Sequence, residues 1–196
     1  MTRLLTALAA ACALAAPAAA QAQPAPAHPF DGTGMWIHEL GKSAKGDAVA
    51  IGAQARAAGI KTVTMKAAHG DKRFGSQFSP ANVAALKAQG LRVCAYQRLQ
   101  GTNPNGQAQR ALEAIRAGAD CFVIDAESEL EGKYRVSQTY MRALRAGAGN
   151  DYPIGFTGFP YVQFHPRFPY SVFLGSGGAT FNAPQVYWKA IGTSPE

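Results

Sequence analysis

An alanine-rich amphipathic segment, a glycine and an apolar strand recur four times along the chain, and this repeat limits the fold more than any other feature. The copies read ARAAGIKTVTMK, LKAQGLRVCAYQ, AIRAGADCFVIDAE and LRAGAGNDYPIGFTGF. Their glycines, Gly59, Gly90, Gly118 and Gly147, lie 31, 28 and 29 residues apart. A glycine just past a helix takes the left-handed conformation without steric cost, so each one marks a helix end with a strand directly after it. A βα unit of about 30 residues, repeated, is the pattern of a parallel sheet built by right-handed crossovers.

Helix starts agree with this reading. Asp47 precedes the first amphipathic segment and Ser79-Pro80 the second, good N-cap and N1 residues. The strands predicted are 35–39, 62–66, 92–97, 121–127, 154–159 and 184–189. Short apolar strands with polar ends suit either an open doubly wound sheet or a (β/α)₈ barrel. A nucleotide-binding open sheet calls for a glycine-rich phosphate loop after its first strand, and HELGKSAKGD has neither a GxGxxG nor a Walker pattern. The expected class is therefore α/β, a (β/α)₈ TIM-barrel type with about six βα units visible. A full barrel takes about 250 residues, so the chain is expected to be truncated at its C-terminus, or else to form an unusual incomplete barrel.

The chain begins with MTRLLTALAAACALAAPAAAQAQPAPA, a basic residue, an apolar Ala/Leu stretch and small residues at Ala18, Ala20 and Ala22. That is the layout of a secretory signal peptide, with cleavage expected after Ala20 or Ala22. The domains read as a signal peptide over 1–22, a Pro/Ala linker over 23–31 and one barrel domain over 32–196. No later stretch is long and apolar enough for a bilayer span of about 20 residues, so a secreted or periplasmic protein is expected. The formal charge of +7 falls to +6 when Arg3 leaves. Such an excess favours anionic envelope polymers, but the Lys and Arg residues are scattered and no aromatic-basic nucleic-acid motif occurs. Cys94 and Cys121 lie in apolar strands, where buried thiols and a disulfide are both open; two cysteines without nearby partners make no zinc site.

The stretch FVIDAESE takes an apolar strand abruptly into acid. Alternate side chains of a strand share a face, so Cys121, Val123, Asp125 and Glu127 point one way. Asp125 and Glu127 are thus neighbours at the C-terminal end of the fourth predicted strand, where barrel enzymes carry catalytic groups. Two carboxylates in one low-dielectric site repel, so one keeps its proton near neutral pH while the other stays charged. Glycoside hydrolysis uses that arrangement. Glu129 and Glu131 read as solvated acids near a helix start.

The VIDAE strand end resembles the D-x-E signature on strand four of glycoside hydrolase barrels, especially the family 25 lysozymes and family 18 chitinases. The fuller chitinase pattern, D-x-x-D-x-D-x-E, is matched at Asp120, Asp125 and Glu127, with Val123 in place of the inner Asp. Where family 25 has an Asp at the end of strand one, this chain has His38 and Glu39. More widely, MWIHEL, FVIDAESELEGKY, GFPYVQFHPRFPYSVFLG and PQVYWKAIGTS are similar to a group of bacterial glycoside-hydrolase-like barrel proteins. The resemblance implies that Glu127 donates the proton while Asp125 orients a substrate acetamido group or stabilises developing positive charge.

Lys66, Gln97, Gln185 and Tyr187 end strands at equivalent heights and are the expected substrate contacts, although Lys66 could instead form a structural salt bridge with the acids of strand four. Tyr161, Tyr187 and Trp188 are the candidate platforms for sugar rings, whose apolar faces suit aromatic ones. His69 and Asp71 do not amount to a metal site, His38 and His165 read as hydrogen-bonded structural residues, and no cofactor is expected. The function expected is cleavage of an envelope or extracellular polysaccharide by carboxylic acid catalysis. The alternatives are a non-catalytic glycan-binding barrel and a structural envelope protein.

Overall fold

Helix starts visible in the sequence are hydrogen-bonded caps in the computed structural model, which describes residues 28–192 and Ser194. The expected signal peptide and most of the linker lie outside the described residues. Helix α1 (Ala48–Ala57) begins where Asp47 Oδ1 accepts from the amides of Val49 and Ala50, at 2.9 and 3.1 Å. In α2 (Pro80–Ala88) Ser79 Oγ accepts from Asn82 N at 3.2 Å, with Pro80 in the first turn. Helix α3 (Pro104–Arg116) is capped by Asn103, and α4 (Tyr134–Ala148) and the short α5 (Tyr170–Leu174) have no side-chain cap.

Left-handed glycines follow three of these helices as the repeat predicts: Gly59, Gly90 and Gly118 have φ of 75°, 76° and 102°. The fourth differs. Gly147 is inside α4, which ends at Gly149, because α3 crosses there so closely that a Cβ on Gly147 would overlap the Leu112 side chain. Gly147→Val is therefore expected to lower the stability measured by urea denaturation by about 1–3 kcal/mol, the usual cost of overpacking. An unchanged midpoint would show that the α3–α4 contact does not need the missing side chain.

Six strands run parallel in the order of the sequence: β1 (Gly34–Ile37), β2 (Thr62–His69), β4 (Arg92–Arg98), β5 (Cys121–Asp125), β6 (Ile154–Thr157) and β7 (Phe181–Asn182). A two-residue strand, β3 (Lys72–Arg73), folds back antiparallel onto β2 and has no counterpart in the predicted set. The strand order never reverses, so the sheet has no switch-point crevice of the doubly wound kind. It curls instead. Trp36 of β1 and the segment after β7 line one cleft, and Phe30, just before β1, stacks on Phe181 of β7 with ring centroids 4.6 Å apart. The protein is an α/β fold with a six-stranded, curled parallel sheet.

Period-two patterning separates its faces. Val63, Met65, Val93, Phe122, Ile124, Ile154 and Phe156 point outward into the helix layer and are essentially inaccessible to water. Gly34, Trp36, Thr62, Thr64, Val123 and Gly155 line the inner face. Cys94 and Cys121 are register partners on that face and form a disulfide with Cα atoms 4.6 Å apart, which decides between the two readings left open.

The last predicted strand, 184–189, is a correction. Pairing with β6 occurs earlier, at Phe181–Asn182, and Trp188–Ile191 form the short helix α6. Pro184 has no amide to offer a ladder. Even so, Ala183 N and Gln185 N still donate to the carbonyls of Phe156 and Gly158 at 2.8 and 2.9 Å, which holds Gln185 at the strand ends. Arg145 secures the loops that deliver β6 and β7: its guanidinium, largely buried, donates to the carbonyls of Gly149, Asn150, Tyr152, Gly177 and Gly178.

Candidate functional site

Inner-face side chains at the C-terminal ends of the strands converge on an open cleft of about 840 Å³. That size is within the range of small-molecule sites. One wall is Trp36 and His38 from the end of β1, Lys66 and His69 from β2, and Tyr96 and Arg98 from β4. Opposite are Asp125, Glu127, Glu129 and Thr157, and the segment Ala183–Tyr187 closes the rim. Gln77 ties the first two strands together: its amide nitrogen donates to the carbonyls of His38 and Lys66, at 2.9 and 2.8 Å, and its oxygen accepts from Leu40 N at 2.9 Å.

Strand β5 stops at Asp125, two residues before the predicted end, yet Glu127 keeps extended φ and ψ of −134° and −150°. Its side chain consequently remains on the same face as Asp125. The two carboxylates share partners. Gln185 Nε2 donates to Asp125 Oδ1 at 3.2 Å and to Glu127 Oε1 at 2.8 Å. Arg98 forms an ion pair with Glu127 through Nη1, which is also 3.8 Å from Asp125 Oδ1, and Nη2 contacts both oxygens of Glu129 at 2.8 Å.

These neighbours divide the pair electrostatically. Burial pushes the Asp125 carboxyl up to about 7; the Arg98 charge opposes that shift and the negative Glu127 adds to it. Burial also acts on Glu127, but the hydrogen bonds from Arg98 and Gln185 outweigh it and hold this group below the ordinary carboxylate value. In the free protein the pair thus carries one proton near neutral pH, resident on Asp125. A hydrogen bond joins the two carboxyls.

Lys66 is 4 % exposed. Its ammonium lies 4.4 Å from the Phe74 ring centroid and 5.9 Å from that of Tyr96, with His69 Nδ1 at 3.5 Å. No carboxylate among the described residues is within ion-pair distance of it, so the salt bridge considered from the sequence does not form. Burial pushes the Lys66 pKa down, while Asp125 pulls it back up. His69 is likewise lowered, by burial and by the Lys66 charge. Tyr96 is pushed up to about 12 by burial and by Asp125, and its hydroxyl is 3.1 Å from His38 Nδ1.

Among the expected contacts, Lys66, Gln185 and Tyr187 line the cleft with the two acids. Gln97 does not. It points outward, fully buried, where its amide nitrogen donates to the carbonyls of Gly70 and Gln107 and its oxygen accepts from Tyr140. Strand parity is the reason: with Tyr96 facing in, the next inward residue is Arg98, one position beyond the predicted strand end. Tyr161 and Trp188 are 39 % and 45 % exposed and lie outside the cleft lining. Trp36, which packs edge-on against Tyr96 and is half exposed inside the cleft, is an aromatic contact that the sequence reading omitted. Glu129, read as solvated, is on Arg98 instead, whereas Glu131 pairs with His165 at 2.9 Å. Asp71 accepts from Asn103 at 2.7 Å, and no cluster of three His, Cys, Asp or Glu side chains suited to a metal occurs among the described residues.

No family model matches the chain, and no curated protein matches it. Among solved structures the chain is similar to the modular autolysin LytC from Streptococcus pneumoniae, with a TM-score of 0.48 and 13% sequence identity over 64% of this chain and 32% of that one. The chain thus spans about a third of the length of that protein.

Proposed function

We propose that the protein is an exported glycoside hydrolase on an incomplete (β/α)₈-type barrel, cleaving an extracellular or envelope polysaccharide with the Asp125–Glu127 pair. The observation that carries this reading is the pair itself. Two carboxyls meet at strand ends in an open cleft, one pushed up to about 7 and the other held low. A protonated carboxyl can give its proton to the glycosidic oxygen as the bond breaks, while an adjacent carboxylate stabilises the positive charge that develops on the sugar; water then adds to the anomeric carbon and returns a proton to the pair. The proton on Asp125 reaches the leaving oxygen directly or by transfer to Glu127 across their hydrogen bond. Gln185 holds both acids in place. Lys66, Tyr187 and Trp36 face the same space and would contact the sugar, with Tyr161 and Trp188 reaching a longer glycan outside the cleft.

One feature favours a second reading, glycan binding without turnover. Arg98 occupies the Glu127 carboxylate in the free protein, and a group so held is a good acceptor for sugar hydroxyls but a poor acid. Reducing-sugar release from purified cell wall and a panel of polysaccharides, compared between the wild type and Glu127→Gln, separates the two. Release lost in the variant supports hydrolysis at this pair, and release that persists in it overturns that assignment. Glycan binding with no release by either protein favours the second reading.

A further inference from the structure

We propose that the cleft takes an acidic glycan, one whose sugar units carry carboxylates, and that Lys66 is the residue that recognises the carboxylate. This inference rests on the reading of the cleft as a glycan site and names the class of glycan.

The argument begins with charge. Two basic side chains longer than histidine face the cleft, Lys66 and Arg98. Arg98 is committed to Glu127 and Glu129 and stands beside Asp125. Lys66 has no such partner: it is 4 % exposed, its neighbours are two aromatic rings and one imidazole, and no carboxylate among the described residues comes within 4 Å. A buried ammonium without an anion is costly, because burial removes its water and nothing of opposite sign replaces it. Aromatic faces compensate in part. Asp125, the acid whose charge acts most on Lys66, is itself pushed toward its neutral form, which leaves the lysine's charge less balanced still. An anionic substituent on the ligand would complete the site.

Position agrees with charge. Lys66 is in register with Tyr96, and Arg98 with Asp125, so β4 separates the lysine from the acids. Lys66 is level with Val123, so two strand steps of about 4.8 Å and two residues along the strand set its backbone roughly 12 Å from that of Asp125. A carboxylate on one sugar unit can therefore meet Lys66 while the glycosidic oxygen of a neighbouring unit meets Asp125 and Glu127. Trp36, on β1 in register with Thr64 and half exposed in the cleft, offers a face for the sugar ring. The net positive charge of the whole chain acts in the same direction, by drawing in polyanions.

The test measures binding of oligouronides by titration calorimetry, with tetramers of galacturonate, mannuronate and the glucuronate-containing repeat of hyaluronan, each beside its carboxyl-reduced neutral counterpart. It uses the full chain at physiological salt. The wild type is expected to bind at least one tetramer about tenfold or more tightly than its reduced form, since a charge-assisted bond in a sheltered site is worth that much. In Lys66→Met, which keeps the apolar stem and loses the charge, the preference should disappear, leaving equal affinity for the two forms. If the variant does not fold, the comparison of acidic and reduced ligands on the wild type still decides. No preference, a preference that survives in Lys66→Met, or no binding of any oligouronide overturns the inference. Failure here is distinct from failure of the hydrolase reading. Cleavage of neutral glycans without a carboxylate preference would sink only this inference. Lys66-dependent binding of an oligouronide that is never cleaved would sink only the hydrolase.

Discussion

Asp125→Asn is expected to lower the rate of sugar release by about 10²–10⁴-fold, the usual worth of a positioned acid, and at the same time to make the protein more stable above pH 7. Glu127→Gln is expected to lose rate on the same scale. The two effects of Asp125→Asn have one cause. Burial raises this carboxyl from an ordinary 3.8 to about 7, so between those values the folded protein keeps a proton that the unfolded chain releases. Stability therefore falls as pH rises through that window and stays at its lower level above it, because the folded state binds more protons than the unfolded one. A shift of that size corresponds to about 4 kcal/mol at most. An asparagine never ionises, so the variant escapes the penalty. Its advantage in thermal denaturation should be full at pH 8 and absent at pH 3. A variant less stable than wild type at both values would mean that the buried position is held by hydrogen bonds that Asn cannot replace, and that the charge is not what matters there. In the wild type the rate of release should decline as pH rises through about 7, when the pair loses the proton it shares.

That one acid of the pair keeps its proton was legible in the sequence, but which of the two was not. The repeat of helix, glycine and strand gave β2, β4, β5 and β6 because each strand is a short apolar run after a helix, three of them directly after a left-handed glycine, a local signal. Parity along β5 likewise put Asp125 and Glu127 on one face. What it missed depended on where a strand stops. Ending β4 at Gln97 made that glutamine a cleft residue, whereas the strand runs to Arg98 and turns Gln97 into the helix layer, onto Gly70, Gln107 and Tyr140. Arg98, the group that sets the charge state of Glu127, was lost by the same one-residue error. The C-terminal strand failed for a different reason. Its apolar run 184–189 resembles a strand, but pairing with β6 is completed earlier, and Gln185 reaches the acids from irregular backbone held by two amide hydrogen bonds. Lys66 was legible as a strand-end cation, but its lack of an anionic partner is a matter of three-dimensional packing.

Arg98→Met should destabilise the protein by about 1–3 kcal/mol at pH 8 and by much less at pH 3. Removing one partner of a buried ion pair costs about 3–5 kcal/mol. The lower figure applies here because Glu127 and Glu129 remain partly in reach of water, with 25 % and 34 % of their side-chain surface exposed, and hydration makes up part of the loss. The pH dependence follows from the sign of the shift. Arg98 holds Glu127 below its ordinary 4.5, so the stability this contributes is present above that value and vanishes as pH falls through the folded value. At pH 3 the unfolded carboxylates are already protonated and the arginine has less to stabilise. Urea denaturation of the wild type, Arg98→Met, Glu127→Gln and the double variant at pH 8 closes a cycle, in which the two substitutions should couple by about 1 kcal/mol or more. A deficit in Arg98→Met that is equal at both pH values would assign the role of Arg98 to packing of its stem. For activity the same argument predicts that the acid limb of the pH profile moves upward in Arg98→Met, because Glu127 then takes up a proton more readily and the pair loses its ionised member at a higher pH. A limb that stays in place would mean that Arg98 leaves Glu127 once a glycan occupies the cleft, and that the charge division of the free protein is not the one in which the bond is broken.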